Sequence, residues 1–235
     1  MSESVNAAIC EAFEKGLADR TTLMTNMPFA ADAMKLAKEK GFADRVGIHI
    51  NLTSGTPLTD AMKADSIMCD EAGDFTGDFA RTLSKRFFLP KETRLNVEKE
   101  LRAQLDRYRE LGGTLWHIDS HHHVHTDPSV WRELKKVMKD CPVTSIRLSR
   151  NMYSGGNALM GLYKKLFNSA VKSRSKGHPE YFGSAEDYCR FAKDHPGFAD
   201  DHEVEVMVHP VYDAEGRLMD AVREGFSELK ALKQA

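Results

Sequence analysis

The sequence predicts an α/β protein in which parallel β-strands are covered by α-helices. Segments with the helical spacing of apolar residues alternate along the chain with short segments typical of strands. Several of the strand segments place apolar residues on one side and polar residues on the other. Their most reactive side chain lies at or near the carboxyl end of the strand. This combination is typical of an α/β barrel or of a doubly wound open sheet.

Helices are predicted where apolar residues share one face between a capping residue and a glycine. The first follows Ser2, a candidate N-cap, and stops at Gly16, and the second ends at Gly41. The fourth carries Leu101 and Leu105 on one face. The predicted ranges are 2–16, 28–40, 76–87, 91–111 and 129–139, with helix and loop over 155–195 and a last helix closing the chain.

Strands are predicted at residues 21–24, 46–52, 117–125, 144–148 and 204–208. In the strands at 46–52, 144–148 and 204–208 the polar side chains alternate with apolar ones that would face the helices. Because active sites of α/β folds assemble at the carboxyl ends of parallel strands, we expect polar residues from four strands to converge on one crevice. They are His49, Asp119 with His121, Arg147 and His209.

Length and composition favour a single domain over residues 1–235. Lys and Arg together number 33 against 35 Asp and Glu, a net charge of −2, which gives no reason to expect nucleic acid or a membrane surface as a partner. Scattered cysteines, no leader-like start and no long apolar run predict a cytoplasmic protein with reduced thiols. The cysteines are Cys10, Cys69, Cys141 and Cys189.

The most informative segment is residues 117–125, which read His-Ile-Asp-Ser-His-His-His-Val-His and hold five of the chain's ten histidines. If the segment is one strand, alternation places a carboxylate and four imidazoles on the same face and His122 on the opposite one. That face would carry His117, Asp119, His121, His123 and His125. Imidazole and carboxylate groups are metal ligands, so the segment predicts a metal site. The alternative is a surface tract that binds metal only adventitiously.

Three segments resemble the motifs of the YdjC-type carbohydrate deacetylases, the family of chito-oligosaccharide deacetylase. They are residues 46–58, residues 117–125 and the Val-Met-Val-His-Pro stretch at 206–210. The resemblance covers about residues 1–215. It implies a distorted (β/α) barrel of the glycoside hydrolase/deacetylase type, a homodimer, and hydrolysis of acetyl groups from N-acetylated sugars with one divalent metal ion. Family members open with a strand that carries an Asp-Asp pair, and we expect this first strand to be missing from the chain.

The resemblance also implies roles for single residues. His49 and His121 would be metal ligands, His209 the general acid, and Arg147 a residue that orients the substrate. Each has a simpler alternative: His49 as a core histidine, His209 as the cap of a strand, and Arg147 as a structural ion-pair partner. On ligand softness an imidazole-rich site favours zinc, whereas the resemblance points to magnesium.

Four further residues are candidates for supporting roles. Asp119 would accept a hydrogen bond from a metal-binding imidazole and so hold its orientation. His123 and His125 would lie on the same face of the predicted strand as His121, but further along it, so they rank below His121 as metal ligands. Tyr181 would either stack on a sugar ring or pack in the core.

Two other functions stay open at this point. One is a metal-dependent phosphoesterase on a similar barrel, because clusters of His and Asp also serve phosphoryl transfer. The other is a catalytically impaired sugar- or metal-binding remnant, because the Asp-Asp strand is expected to be absent.

Overall fold

The computed structural model describes residues 2–152, 158–175 and 177–221. The α-helices are α1 (Glu3–Glu14), α2 (Ala30–Glu39), α3 (Asp60–Lys63), α4 (Asp78–Arg81), α5 (Leu83–Phe87), α6 (Lys91–Glu110), α7 (Pro128–Val137), α8 (Ala158–Lys172), α9 (Ala185–Asp194) and α10 (Phe198–Asp201). The strands are β1 (Thr21–Leu23), β2 (Val46–Ile50), β3 (His117–Ser120), β4 (Ser145–Ile146), β5 (Tyr181–Ser184), β6 (Val204–Met207), β7 (Pro210–Tyr212) and β8 (Leu218–Asp220).

The predicted α/β class is confirmed, because helices alternate with strands and the pairs β2–β3 and β5–β6 are parallel. The closed barrel, the missing first strand and the single domain over 1–235 stay predictions. The predicted last helix falls after residue 221, outside the described residues. In the part of the chain that is described, no helix is both long enough and apolar enough to cross a bilayer.

The chain divides into two compact units, and the first spans residues 22–144. In this unit β1, β2 and β3 hydrogen-bond in that order. The parallel register of β2 and β3 pairs Ile48 with Ile118, His49 with Asp119, and Ile50 with Ser120. The register therefore places the histidine of one strand beside the carboxylate of the next.

Part of the core of the first unit lies around β2 and β3, where β2 packs against the long helix α6. The apolar side chains of Ile48, Ile50 and Ile118 are fully buried, as the predicted alternation requires. From α6, the hydroxyl oxygen of Tyr108 lies 2.7 Å from the carbonyl oxygens of both Val46 and Leu115, which compete for its single proton. Burial raises the pKa of this hydroxyl well above its usual value. The helix is thus tied to the start of β2 by polar as well as apolar contacts.

Gly47 allows β2 to pass closely between its two neighbours. A Cβ atom at this position would lie 2.8 Å from the carbonyl oxygen of His117 and 3.1 Å from Cγ2 of Thr22. The first of these atoms belongs to the backbone of β3 and cannot move without shifting the strand. Glycine is therefore required here by packing.

Replacing Gly47 with alanine should lower the free energy of unfolding by about 1–3 kcal/mol, because the added methyl group overpacks the sheet. Urea denaturation measures the change. The matched control is Gly161→Ala in α8, where an added Cβ meets no atom within 4 Å. We expect that control to be neutral or to stabilise by up to about 1 kcal/mol through higher helix propensity. Equal stability of the two variants would contradict this interpretation of Gly47.

The second unit comprises residues 2–21 and the chain from residue 145 onward. Ser2 caps α1 as predicted, since its side chain accepts a hydrogen bond from the backbone N–H of Val5. Strand β5 pairs in parallel with β6, and β7 pairs antiparallel with β8. Helix α9 begins with a capping box formed by Ser184 and Asp187.

The prediction of one continuous strand over residues 117–125 is wrong. Strand β3 ends at Ser120, and the chain turns over His121–Thr126, where the backbone of His122 and His123 is left-handed. The side chain of Ser120 accepts the backbone N–H of His125 at 2.9 Å and lies 2.5 Å from its Nδ1, which turns the chain back on itself. The alternation therefore stops at Ser120, and the common face predicted for His121, His123 and His125 does not exist. The predicted helix over 76–87 is likewise two short helices, α4 and α5, which meet at Thr82.

Candidate active site

The candidate site is built around His49 and Asp119 at the carboxyl ends of β2 and β3. Nδ1 of His49 lies 2.7 Å from Oδ1 of Asp119. The carboxylate is fully buried, whereas 19% of the His49 side chain is exposed. Because a carboxylate only accepts hydrogen bonds, the contact places a proton of His49 on Nδ1, so the neutral form of the ring has its lone pair on Nε2.

Thr22 completes this arrangement from β1, on the other side of β2. Its hydroxyl donates to Oδ2 of Asp119 at 3.1 Å and lies 3.0 Å from Nδ1 of His49. Both oxygens of the buried carboxylate therefore have partners. Sequence reasoning did not identify Thr22 as a site residue. Only its position on a strand next to the histidine strand could have pointed to it.

His121 lies close to His49 in the same unit, at the point where β3 turns. The centroids of the two rings are 5.9 Å apart, and their planes are inclined by 58°. The structure therefore brings together the two imidazoles that the sequence predicted as metal ligands, along with the carboxylate predicted to support them.

His122 also belongs to this group, although the sequence predicted that it faces the other way. Its ring centroid lies 3.9 Å from that of His121, and its Nδ1 lies 3.0 Å from the hydroxyl of Thr53. Burial lowers the pKa of His122, and electrostatic interaction with the neighbouring Arg81 and His49 lowers it further. These effects favour the neutral form of the His122 imidazole.

The loop after β2, residues 51–59, is held by buried polar groups of α6. Gln104 exchanges two hydrogen bonds with the backbone of Asn51, at 2.7 and 3.0 Å. The carboxylate of Glu100 accepts the backbone N–H groups of Leu58 and Thr59 at 3.0 and 2.9 Å. Nothing in the sequence indicated that Glu100 and Gln104 are important, because the groups that they bind belong to a loop more than 40 residues away along the chain.

The other residues of the motif have local partners. His125 is fully buried and bonded to Ser120, and the carbonyl of His123 accepts the hydroxyl of Thr126 at 2.9 Å. These contacts stabilise the turn. Whether either imidazole serves the chemistry stays a prediction.

The remaining predicted site residues lie in the second unit. Arg147 pairs with Glu205 at 2.5 Å and lies over the ring of Phe182, with Cζ 4.9 Å from its centroid. Tyr181 packs edge-on against Phe198, with ring centroids 4.7 Å apart. The backbone N–H of His209 donates to Asp220 at 3.3 Å. Arg147 is therefore an ion-pair partner and Tyr181 a member of an aromatic cluster, and the catalytic or substrate roles of the three stay predictions.

Comparison with known proteins assigns the chain to a family. The model of the family described as YdjC-like protein matches residues 1–234. The chain belongs to the YdjC-like family. This confirms the membership that the three sequence motifs predicted.

Several curated relatives of this YdjC-like chain carry the name carbohydrate deacetylase. One from Geobacillus stearothermophilus is 32% identical over 213 residues, which cover 90% of this chain and 75% of the relative. Another from Brevibacillus brevis is 31% identical and is covered over 87% of its length by the whole of this chain.

A solved structure supports the fold. It is a protein from Enterococcus faecalis V583, described as a cellobiose-phosphate cleavage protein, with a TM-score of 0.68 and 20% sequence identity. The match covers 99% of this YdjC-like chain and 90% of the other chain. At this level of identity the likeness concerns the fold alone.

The imidazoles of His49 and His121 in the YdjC-like chain are groups of the kind that bind a divalent metal ion. His49 is held at Nδ1 by a carboxylate, the arrangement in which metal-ligating histidines are commonly found, and His121 lies beside it. Across residues 2–152, 158–175 and 177–221, no three side chains of His, Cys, Asp or Glu converge as a metal site. The two imidazoles therefore need at least one further ligand, because catalytic sites usually have three from the protein.

Proposed function

We propose that this YdjC-like protein is a metal-dependent carbohydrate deacetylase that hydrolyses the acetamido group of an N-acetylated sugar or chito-oligosaccharide. The names of the curated relatives support the reaction class. The observation that carries the proposal is the contact between His49 and Asp119, together with the position of His121 beside it. We further propose that the enzyme acts in the cytoplasm as a homodimer, without nucleic acid or membrane partners.

In this proposal His49 and His121 hold one divalent ion, Mg²⁺ or Zn²⁺, together with at least one further ligand. Imidazole donors favour zinc on ligand softness. An amide resists hydrolysis because its carbonyl is a weak electrophile and its amine leaves poorly. When bound, the ion supplies Lewis-acid polarisation of the carbonyl and of water.

The chain's own residues position these groups and move protons. Asp119 accepts the Nδ1 proton of His49, which holds the ring in the tautomer whose Nε2 is a donor to a cation. Thr22 donates to the second oxygen of Asp119 and keeps that carboxylate from rotating. The proposal gives His209 the protonation of the departing amine, because an imidazole side chain can act as a general acid. It gives Arg147 the orientation of the substrate.

The test is acetate release from N-acetylglucosamine oligomers by protein that has been stripped with a chelator and reloaded with Mg²⁺ or Zn²⁺. We expect release that depends on the added metal and is undetectable in His121→Ala. The matched control is His195→Ala in the second unit, whose exposed ring stacks on Phe191 and should leave release unchanged.

Undiminished release by His121→Ala would remove His121 from the site. Cleavage of sugar phosphates without deacetylation would favour the metal-dependent phosphoesterase. Binding of sugar or metal without turnover of either substrate would favour the catalytically impaired remnant.

A further inference from the structure

His122 and His123 adopt a backbone conformation that residues other than glycine rarely take. Their φ angles are 51° and 57°, in the left-handed region that favours glycine. Two consecutive residues of this kind cost conformational energy, and such strain persists where the surrounding contacts require it. The strained pair lies directly after His121, a proposed metal ligand.

The strained turn changes which way the His122 ring points. In an extended strand, neighbouring side chains project to opposite faces, so His121 and His122 would be separated by the backbone. In the structure their ring centroids are 3.9 Å apart and their planes are inclined by 33°. One face of the His121 ring is thus covered by the imidazole that follows it.

The ring of His122 is itself anchored to the buried part of the first unit. Its Nδ1 lies 3.0 Å from the hydroxyl of Thr53, a residue that is 5% exposed. The side-chain oxygen of Asn51 accepts the backbone N–H of Thr53 at 3.1 Å and lies 3.4 Å from its hydroxyl. Asn51 is fully buried and is held by Gln104 of α6. One path from His121 to the core therefore runs through His122 and Thr53.

We propose that His122 is a positioning residue, whose ring, anchored at Thr53, fixes the orientation of His121 and its spacing from His49. The inference rests on the proposed function, in which His121 binds the metal ion. It gives each proposed ligand its own support: Asp119 and Thr22 hold His49, whereas His122 and Thr53 hold His121.

The test compares Thr53→Val with Thr53→Ser. Valine keeps the shape of the side chain and removes the hydroxyl, whereas serine keeps the hydroxyl. We expect Thr53→Val to lower kcat and the affinity for Zn²⁺ each by about tenfold, the size usual for the loss of a group that orients a ligand. The KM for the sugar should stay unchanged, and Thr53→Ser should restore most of both losses. Zn²⁺ affinity is measured by calorimetry on the stripped protein, which gives a result independent of turnover.

A second variant, His122→Phe, keeps a ring over His121 and removes the bond to Thr53. It also carries the test if Thr53→Val fails to fold. We expect a loss of kcat and of Zn²⁺ affinity similar to that of Thr53→Val. The double variant should lose no more than the poorer single variant, because both substitutions break the same contact between His122 and Thr53.

Wild-type kcat and Zn²⁺ affinity in both single variants would overturn the inference. So would additive losses in the double variant, or a raised KM with unchanged kcat, since the latter would make His122 a substrate contact. Zn²⁺ binding that does not depend on His121 overturns it as well. If the wild-type protein binds Zn²⁺ through His121 but releases no acetate, the proposed function fails while the Zn²⁺ affinities still decide the role of His122.

Discussion

Replacing Asp119 with asparagine should lower the rate of acetate release by about 100-fold, and the affinity for Zn²⁺ by about tenfold or more. Asparagine matches the shape of the side chain but lacks its charge, so it no longer favours the Nδ1–H tautomer of His49 over the alternatives. Its amide group would also meet the hydroxyl of Thr22, which now donates to the carboxylate at 3.1 Å. Steady-state kinetics and calorimetry measure the two effects.

Two comparisons separate the role of Asp119 in orienting His49 from a general effect of removing charge. Asp44→Asn changes an exposed carboxylate in the same unit and should leave both quantities unchanged. Thr22→Val removes the donor to Asp119 but keeps the carboxylate, so we expect a smaller loss, about fivefold. Full activity and metal affinity in Asp119→Asn would show that the carboxylate is not needed to hold His49.

Replacing Glu100 with alanine should lower the free energy of unfolding by about 3–5 kcal/mol, the largest stability effect that we expect in this chain. The carboxylate is fully buried and accepts hydrogen bonds from the backbone N–H groups of Leu58 and Thr59, the Thr59 hydroxyl and the amide of Gln104. Alanine would leave these buried donors without their acceptor and would open a cavity beside them. Urea denaturation measures the loss.

Glu100→Gln and Lys99→Ala serve as graded controls. Glutamine keeps the volume and one acceptor oxygen but sets its own N–H₂ group against a donor, so about 1–3 kcal/mol should be lost. Lys99 is the exposed neighbour on α6, and its removal should change stability by less than about 0.5 kcal/mol. A loss in Glu100→Ala no larger than in Lys99→Ala would contradict the view that this carboxylate holds the 51–59 loop.

Much of the fold was predictable because it depends on local patterns. Helix α6 follows the spacing of Leu101 and Leu105, and α1 begins at the cap provided by Ser2. The alternation along β2 correctly predicted buried Ile48 and Ile50 opposite the partly exposed His49. Each of these features is decided by side chains a few residues apart, which a single sequence displays directly.

The candidate site was predictable in its main members and not in its supports. His49, Asp119 and His121 stood out by residue type and by their places near strand ends, and the structure brings them together. Thr22 and Thr53 did not stand out, because a threonine near a strand end has no distinctive pattern. Their importance comes from partners in other elements of the fold.

The error over residues 117–125 has a specific cause. Period-two alternation assumes that the backbone stays extended. In the structure the hydroxyl oxygen of Ser120 accepts the backbone N–H of His125, and the backbone of His122 and His123 is left-handed. A local side-chain bond of this kind competes with the strand, and the hydrophobic pattern does not record it.

By itself the amino-acid sequence determined the family, the α/β class and the side of β2 and β3 on which the reactive residues lie, since motif identity and alternation are properties of the chain. Only the tertiary structure decided that His49 and Asp119 are paired across two parallel strands, and that His122 folds back over His121. The physical reason is that register between strands and the direction of a tight turn depend on contacts between distant residues, and these form only when the chain is packed.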